Sequence, residues 1–415
     1  MSESAFLEKL LDGAEVEWVP LAEGENRITE LKRGRVMSKG YLVENSGDYP
    51  VYSSQTARNG QIGKIKTFDF DGESITWTTD GANAGTVFHR TGKFSITNVC
   101  GIIRICDVDR LNYRYLFHYL SFNTQKHVYA GMGNPKLMSN QMAKIPIPIP
   151  CPENPEKSLA IQAEIVRILD TFTELTAELT AELISELTAR KKQFNYYRDQ
   201  LLTFEEGDIE WKTLGEVGEF VRGKRFVKAD MISEGVPCIH YGEMYTHYGI
   251  WADKAKSCVT SELVKKNKLR TAEKGNVVMV AAGETIEDIG MGTAWLSDEG
   301  VVIHDACFTY RSGLNPKYVA YFTRTKFFQS QVRKSVSSGK ISAINAKGLS
   351  KVTIPIPSIA EQARIVGILD KFDTLTHSIS EGLPREIELR QKQYEYYRGL
   401  LLNFPIPEPE TEGVA

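Results

Sequence analysis

A helical pattern of apolar positions dominates residues 160–204. Apolar side chains fall at 161, 165, 168, 172, 175 and 179, spaced four and three as along the seam of a coiled coil. They continue at 183 and 187, then resume at 194, 197, 201 and 204. Through the TAEL tetrads, which put Glu-Leu at 174–175, 178–179, 182–183 and 186–187, the step becomes four-four. That spacing is nearer an eleven-residue period than a seven-residue one and predicts a local relaxation or reversal of the supercoil. Good helix formers dominate throughout.

The pattern occurs twice. Residues 360–404 align with 160–204 without a gap at an offset of 200, and 22 of 45 positions are identical. Alternating Ile-Pro precedes each copy, as KIPIPIP at 144–150 and KVTIPIP at 351–357. The second copy has Gly382-Leu383-Pro384 where the first has Glu182-Leu183-Ile184. Proline lacks a backbone donor and clashes with the preceding turn, so a kink or break is expected there. Neither stripe is stable against water alone. Packing the copies antiparallel buries both, with Leu175, Leu179, Leu183, Leu187, Phe194 and Tyr197 in the core of the coil, and creates a pseudo-two-fold axis. AEVEWVPLAE at 14–23 is similar to DIEWKTLGEV at 208–217, and FLEKLLDG at 6–13 to RDQLLTFEEG at 198–207. The fragment before residue 14 therefore reads as the tail of a further copy, closing the repeats circularly.

Elsewhere the pattern shortens. SITWTT (74–79), SITNVCGIIRI (95–105) and NVVMVAA (276–282) are β-branched and bounded by Gly, Asp and Asn, hence strands and turns. Residues 111–121 and 316–331 read as short helices. The predicted fold class is α+β, with two mixed α/β domains separated by two long helical segments. The segments are 1–14 (helical tail), 15–150 (first domain), 151–207 (central helix), 208–357 (second domain) and 358–415 (C-terminal helical region). A chain of 415 residues has length enough for two or three domains with real cores.

Charge sharpens this picture. The chain as a whole carries a net charge of −3, which argues against a free-standing nucleic-acid binder. The average conceals segregation: residues 15–150 carry +3 and 208–357 carry +5, against −5 for 151–207, −4 for 358–415 and −2 for 1–14. Two basic globules held by acidic helices form an electrostatic footprint for two separate contacts with a polyanion.

Catalytic chemistry is harder to find. GEFVRGK at 218–224 has phosphate-loop spacing, but Arg225 stands where Ser or Thr would hold magnesium. Asn315-Pro316-Lys317-Tyr318 superficially resembles the Asn-Pro-Pro-aromatic motif of amino-methyltransferases, yet Lys317 replaces the second proline, so it reads as a helix start. His304 and Asp305 precede Cys307, but neighbours along a strand point to opposite faces. The histidines form no metal-binding pair and the six cysteines no zinc or disulfide framework, so no metal site is expected. No apolar run approaches the roughly 20 residues needed to span a bilayer, and the N-terminus lacks a basic signal region. A cytoplasmic reader or scaffold is expected, with no catalysis.

Two variable domains, near-identical helical segments, Ile-Pro exits and TAEL tetrads together resemble the specificity subunits of type I restriction–modification enzymes. The tetrads and the endings RKKQFNYYRDQLL and RQKQYEYYRGLLL look most like the type IC subgroup. The resemblance implies that each variable domain is a target recognition domain reading one half of an asymmetric, bipartite site on double-stranded DNA. It implies that the helical segments dock two modification subunits, which carry S-adenosylmethionine and methylate adenine N6. ATP- and magnesium-dependent restriction subunits would join that core. This chain would hold no cofactor itself. The alternative is a non-catalytic two-domain DNA-binding regulator or scaffold outside restriction.

Direct base readout favours Arg, Lys, Asn, Gln, Ser and Thr on loops. Candidates in the first domain are Ser53, Ser54, Gln55, Thr56, Arg58 and Asn59, then Thr79, Asn83, Arg90 and Lys93. In the second they are Arg222, Lys224, Arg225 and Lys228, then His240 and Tyr241, then Lys334, Ser337, Ser338 and Lys340. Tyr196, Arg198, Tyr396 and Arg398, off the apolar stripe and present in both copies, are candidates for a subunit interface. Thr176, Leu179, Thr180 and Leu183 belong to the tetrads that would set the spacing of the half-sites.

Overall fold

A computed structural model describes residues 5–405 apart from 25–26, 130–132, 206, 208, 284, 338–340 and 379–380. The first helical segment is one unbroken helix, Pro155–Leu201. The second is broken into Ile359–His377 and Gly382–Leu402. Gly382 sits at φ +78°, and a Cβ there would come within 2.6 Å of the Thr374 carbonyl oxygen. Pro384 then falls in the first turn of the new helix, where its missing N–H leaves no bond unmade.

The chain forms two compact units, Met1–Ala181 with Glu388–Ala415, and Glu182–Ile387. Each unit contains an antiparallel helix contact. In the first, Phe172 stacks on Tyr397 with centroids 5.5 Å apart, and the hydroxyls of Thr173 and Tyr394 lie 2.9 Å apart. Ile161, Ile165 and Leu169 share a core with Leu401, Leu402 and Phe404 and with Leu7 and Leu11 of the helix Ala5–Leu11. Trp18 Nε1 donates to the Pro405 carbonyl at 3.0 Å, so the two ends of the described chain meet. In the second unit Tyr197 stacks on Phe372 at 5.8 Å and Phe194 meets His377 edge-on at 5.5 Å. Phe172–Tyr397 and Phe372–Tyr197 are one contact repeated at the sequence offset of 200.

The expected coil core is thinner than the apolar stripe suggests. Phe194 is buried and Leu179, Leu183 and Leu187 are half-buried, but Leu175 is 55% and Tyr197 39% exposed. Leu175 faces the groove formed with Arg390, Gln393, Tyr394 and Tyr397, whose polar, long side chains cover it incompletely.

Both variable domains follow one topology. In the first, a four-stranded sheet runs in the order Thr29–Arg33, Cys100–Ile105, Ser74–Thr78, Val87–Arg90. In the second, the corresponding strands are Gly218–Arg222, Cys307–Ser312, Val277–Val280 and Gly292–Trp295, with Trp251–Ala252 added at the edge. A smaller sheet in each carries a parallel pair, Tyr52 beside Ile96 and Ile239 beside Ile303. The expected helix at 316–331 is two helices, Pro316–Phe322 and Lys326–Val332, because Thr325 caps the second.

The Ile-Pro segments are strands. Pro146–Pro150 pairs antiparallel with Val16–Pro20, and Thr353–Pro355 with Trp211–Thr213. Proline donates no hydrogen bond, so it tolerates only such two-stranded, edge-type pairing, while Ile147, Ile149 and Ile354 are buried.

Two side chains of the repeated helix clamp each domain to it. Asn112 caps the helix Tyr113–Asn123, and its own N–H donates to Gln162 Oε1 at 2.9 Å. Asn315 caps Pro316–Phe322 and donates to Gln362 Oε1 at 2.9 Å. Two turns onward, Asp170 accepts from Arg114 and from His118 Nε2 (2.7 Å). Its counterpart Asp370 accepts from Lys317 Nζ and from the Tyr321 hydroxyl, both at 2.8 Å. Burial alone would raise the Asp170 carboxyl, but the hydrogen bonds from Arg114 and His118 outweigh it and hold it below the usual range. Burial likewise holds the His118 imidazole below its ordinary value of 6.5. Both groups bind more protons unfolded than folded, so their contribution is present at neutral pH and lost on acidification.

Replacing Gln162 or Gln362, both fully buried, by leucine should destabilise its unit by roughly 2–3 kcal/mol, because a buried N–H and a buried carbonyl lose their partners. Chemical denaturation followed by hydrogen exchange in the affected unit measures this. A loss below about 0.5 kcal/mol would show the clamp to be incidental.

Candidate nucleic-acid interface

Equivalent strands bring equivalent turns together. In the first domain Arg33-Gly34-Arg35 lies on the turn Ile96-Thr97-Asn98-Val99-Cys100. In the second, Arg222-Gly223-Lys224 lies on Ile303-His304-Asp305-Ala306-Cys307. The turns close alike, Cys100 N–H to the Thr97 carbonyl and Cys307 N–H to the His304 carbonyl, both 2.9 Å. Arg33 Nη2 donates to the Asn98 carbonyl at 2.7 Å, and Arg222 Nε to the Asp305 carbonyl at 2.8 Å. Neither glycine admits a side chain: a Cβ would lie 2.1 Å from the Ile96 oxygen at Gly34 and 2.2 Å from the His304 oxygen at Gly223.

The side chains lining this shared frame differ. In the first domain the Ser53 and Thr97 hydroxyls meet at 2.9 Å. The second domain places imidazoles at the corresponding positions, and the rings of His240 and His304 lie 4.5 Å apart, with Phe226 and Tyr241 each 5.2 Å from His304. His240 Nδ1 accepts from Gly242 N–H (3.3 Å) and His304 Nδ1 from Ala306 N–H (3.0 Å). Burial, above all, keeps both imidazoles below their ordinary value, so at neutral pH each is uncharged, and at His240, whose Nδ1 accepts from Gly242, the hydrogen sits on Nε2 as a donor. The approach of Asp305 to His304 is therefore a contact with a neutral ring.

Around this pair Arg222, Arg225 and Lys228 are exposed, while Lys224 is half-buried with Nζ 3.3 Å from the Asn267 carbonyl. Lys334 and Ser337 belong to a separate segment, where Ser337 bonds Ala343. Ser338 and Lys340 lie outside the described residues. In the first domain Thr56, Arg58 and Asn59 are exposed and Ser53, Ser54 and Gln55 half-buried on one loop, and Lys93 is exposed beside the Phe68 ring. Three candidates there are structural members of the domain. Thr79 is buried and accepts from Arg33 Nη2 (3.2 Å), Asn83 donates to the Ser54 carbonyl (3.2 Å), and Arg90 is buried. Arg33 and Arg35 escaped the sequence reading. Their signal, Arg-Gly-basic followed downstream by Ile-x-x-x-Cys, appears only when the two variable stretches are aligned with each other.

On the rod, Tyr196 is 58% and Tyr396 52% exposed, while the two arginines are engaged within the protein. Arg198 is buried against Asp199 and Asn195, and Arg398 lies over the Phe122 and Tyr394 rings. Arg198 spends its donors inside the subunit and Arg398 is half-buried against two rings, which leaves the tyrosines as the more exposed pair. Thr176, Leu179, Thr180 and Leu183 are half-buried within the unbroken helix.

The rejected motifs are placed as follows. Gly218–Arg222 is a sheet strand followed by irregular chain and a single short helical turn, Lys228–Asp230, in place of the helix that would receive a phosphate. Asn315 caps a helix. The Cys307 thiol is pushed up to about 12 by burial, which leaves no thiolate for chemistry. Among the described residues no His, Cys, Asp and Glu side chains gather into a metal cluster, and no helix is long and apolar enough to cross a membrane.

Fold and surface thus define a protein with two homologous readers on a duplicated helical scaffold. The Type I restriction modification DNA specificity domain matches residues 26–189 and 206–389, and the chain belongs to that family of specificity subunits. It is 38% identical over 423 residues to the type I restriction enzyme EcoR124I/EcoR124II specificity subunit of Escherichia coli, covering 98% of this chain and 99% of that protein. It is 35% identical over 413 residues to a putative type I specificity subunit of Haemophilus influenzae, covering 96% and 98%. A chain solved in work on assembly and conformational transition of the type I R-M system shares the fold at a TM-score of 0.66 and 14% identity, over 94% of this chain and 98% of that one. The protein is a DNA-recognition subunit of a type I restriction–modification complex and not itself an enzyme.

Arg225 and Lys228 are exposed with no carboxylate partner among the described residues. In the assembled complex, Arg225→Ala or Lys228→Ala should each reduce the slope of log binding constant against log salt by about 0.9. Equilibrium binding at a series of salt concentrations measures it, and an unchanged slope would remove that residue from the phosphate contacts.

Proposed function

We propose that residues 15–150 and 208–357 each read one half of an asymmetric, bipartite DNA sequence, and that the helical segments set the gap between the halves. The observation that carries this reading is the shared Arg-Gly and turn frame lined by different side chains, hydroxyls at Ser53 and Thr97 against imidazoles at His240 and His304. One backbone frame with two linings suits two half-sites of different sequence. The net charges of +3 and +5 on these segments supply attraction to phosphate, although only modestly, so partner subunits contribute part of the clamp.

In this reading two modification subunits dock on the duplicated rod through surfaces that include Tyr196 and Tyr396. They bring S-adenosylmethionine and methylate adenine, and restriction subunits bring ATP and magnesium. This chain contributes no cofactor. The tetrads and the Tyr-Tyr-Arg endings support placement in the type IC subgroup, and a DNA target suits a complex that acts in the cytoplasm.

Genome-wide mapping of methylated adenine, with and without this chain, tests the proposal. Its removal should abolish one bipartite motif with a fixed gap. The tetrads carry a further expectation. Four residues of helix add about 6 Å and about 40° beyond one turn, which corresponds to one or two base pairs at about 3.4 Å each. Deleting Thr180–Leu183 should therefore shorten the gap and leave both half-sites unchanged. Altered half-sites, or an unaltered gap, would refute the tetrads' role as a spacer.

A further inference from the structure

The loop joining Ser46–Tyr52 to Gln61–Ile65 holds an unusual backbone. Arg58 (φ 51°, ψ 41°) and Asn59 (φ 52°, ψ 35°) are both left-handed, and Gly60 follows at φ 80°. Asparagine tolerates this region, but for arginine it is strained, and two such residues in succession persist only where their surroundings hold them. The surroundings here do. Ser53 N–H donates to the Gly60 carbonyl at 2.9 Å, Asn83 Nδ2 to the Ser54 carbonyl at 3.2 Å, and Gln55 Nε2 to the Gln61 carbonyl.

The strongest hold comes from Arg90, only 6% exposed. Its Nη2 donates to the Asn59 carbonyl at 2.6 Å and its Nε to Thr76 Oγ1 at 3.2 Å, while the guanidinium lies 3.6 Å from the Tyr52 ring centroid. Among the described residues no carboxylate pairs with it, and burial draws it below the ordinary arginine range. A buried cation retained without a counter-ion needs a reason, and here it grips the carbonyl of a strained residue and adds positive potential to the loop. Outward, the same loop shows Thr56, Arg58 and Asn59, side chains with the donors and acceptors that read base edges.

We infer that Ser53–Gly60 is the base-reading loop of the first half-site, with Arg58 as its reading side chain and Arg90 as the positioning residue beneath it. This rests on the reading of the chain as a DNA specificity subunit. The second domain lacks the device. At the matching point its strand Val236–Ile239 runs through His240 directly into the helix Tyr241–Thr246. Strain at Arg58 and Asn59 therefore serves one half-site only.

The test uses the chain assembled with its modification subunits in a host without other adenine methylation. Arg58→Ala, an exposed change, should relax one base position in one half-site by on the order of tenfold or more in discrimination. The other half-site and the gap should stay unchanged. Arg90→Lys keeps the charge but loses the planar fork. It should relax that same half-site, whether or not the melting temperature of the complex falls with the lost hydrogen bonds. The assignment is overturned if Arg58→Ala leaves both half-sites intact, or if the two variants relax different halves. An unaltered motif for Arg90→Lys, at any melting temperature, would make Arg90 merely structural and refute its positioning role. If the unaltered complex methylates no bipartite motif, the specificity reading itself fails and the loop assignment falls with it.

Discussion

The hydrogen bonds that a buried glutamine accepts from a domain's helix cap are the constraint on which each half of this protein depends. Gln162 and Gln362 accept from the capping residues Asn112 and Asn315, and Asp170 and Asp370 accept from the same two helices two turns further on. Eight residues separate each glutamine from its aspartate, which puts both on one helix face. A single helix face thus fixes both the position and the orientation of a reading domain. The duplication of the helix duplicates the mounting, and the domains are then free to diverge at their loops.

That division of labour explains the chemistry of the two domains. The arginine-bonded turns and the glycines at 34 and 223 are steric and backbone features, so they survive changes of lining. The lining is where the domains differ: a hydroxyl pair and a strained loop in one, a neutral imidazole pair leading into a helix in the other. The neutral imidazole of His240 presents an Nε2–H donor because its Nδ1 is held by a backbone N–H group. The surrounding cations, by contrast, are exposed and suit phosphate, which carries no sequence information.

The helical scaffold is built by different rules. Its aromatic contacts repeat at the offset of 200, yet around Leu175 its apolar stripe is poorly covered. Length and rise of the helix matter there more than burial, and good helix formers with charged flanks sustain a helix that tertiary packing supports only in part.

Much of this was legible in one dimension. The repeat, the helices, the break at Pro384, the basic domains and the α+β class all follow from spacing and composition, because they depend on neighbours within a few residues. Other features depend on residues brought together from well beyond one helical turn or strand pair. The burial of Arg90, the hold of Gln162 and Gln362 on the helix caps and the pairing of His240 with His304 could not be read from local pattern. An arginine has the same donors in either place, and only the folded chain decides whether they are spent on a carbonyl inside or left for a ligand outside. By itself the sequence determined the scaffold and its duplication, since helical periodicity is local. Tertiary structure decided which polar side chains remain available to DNA, since availability is set by what the rest of the chain has already bonded.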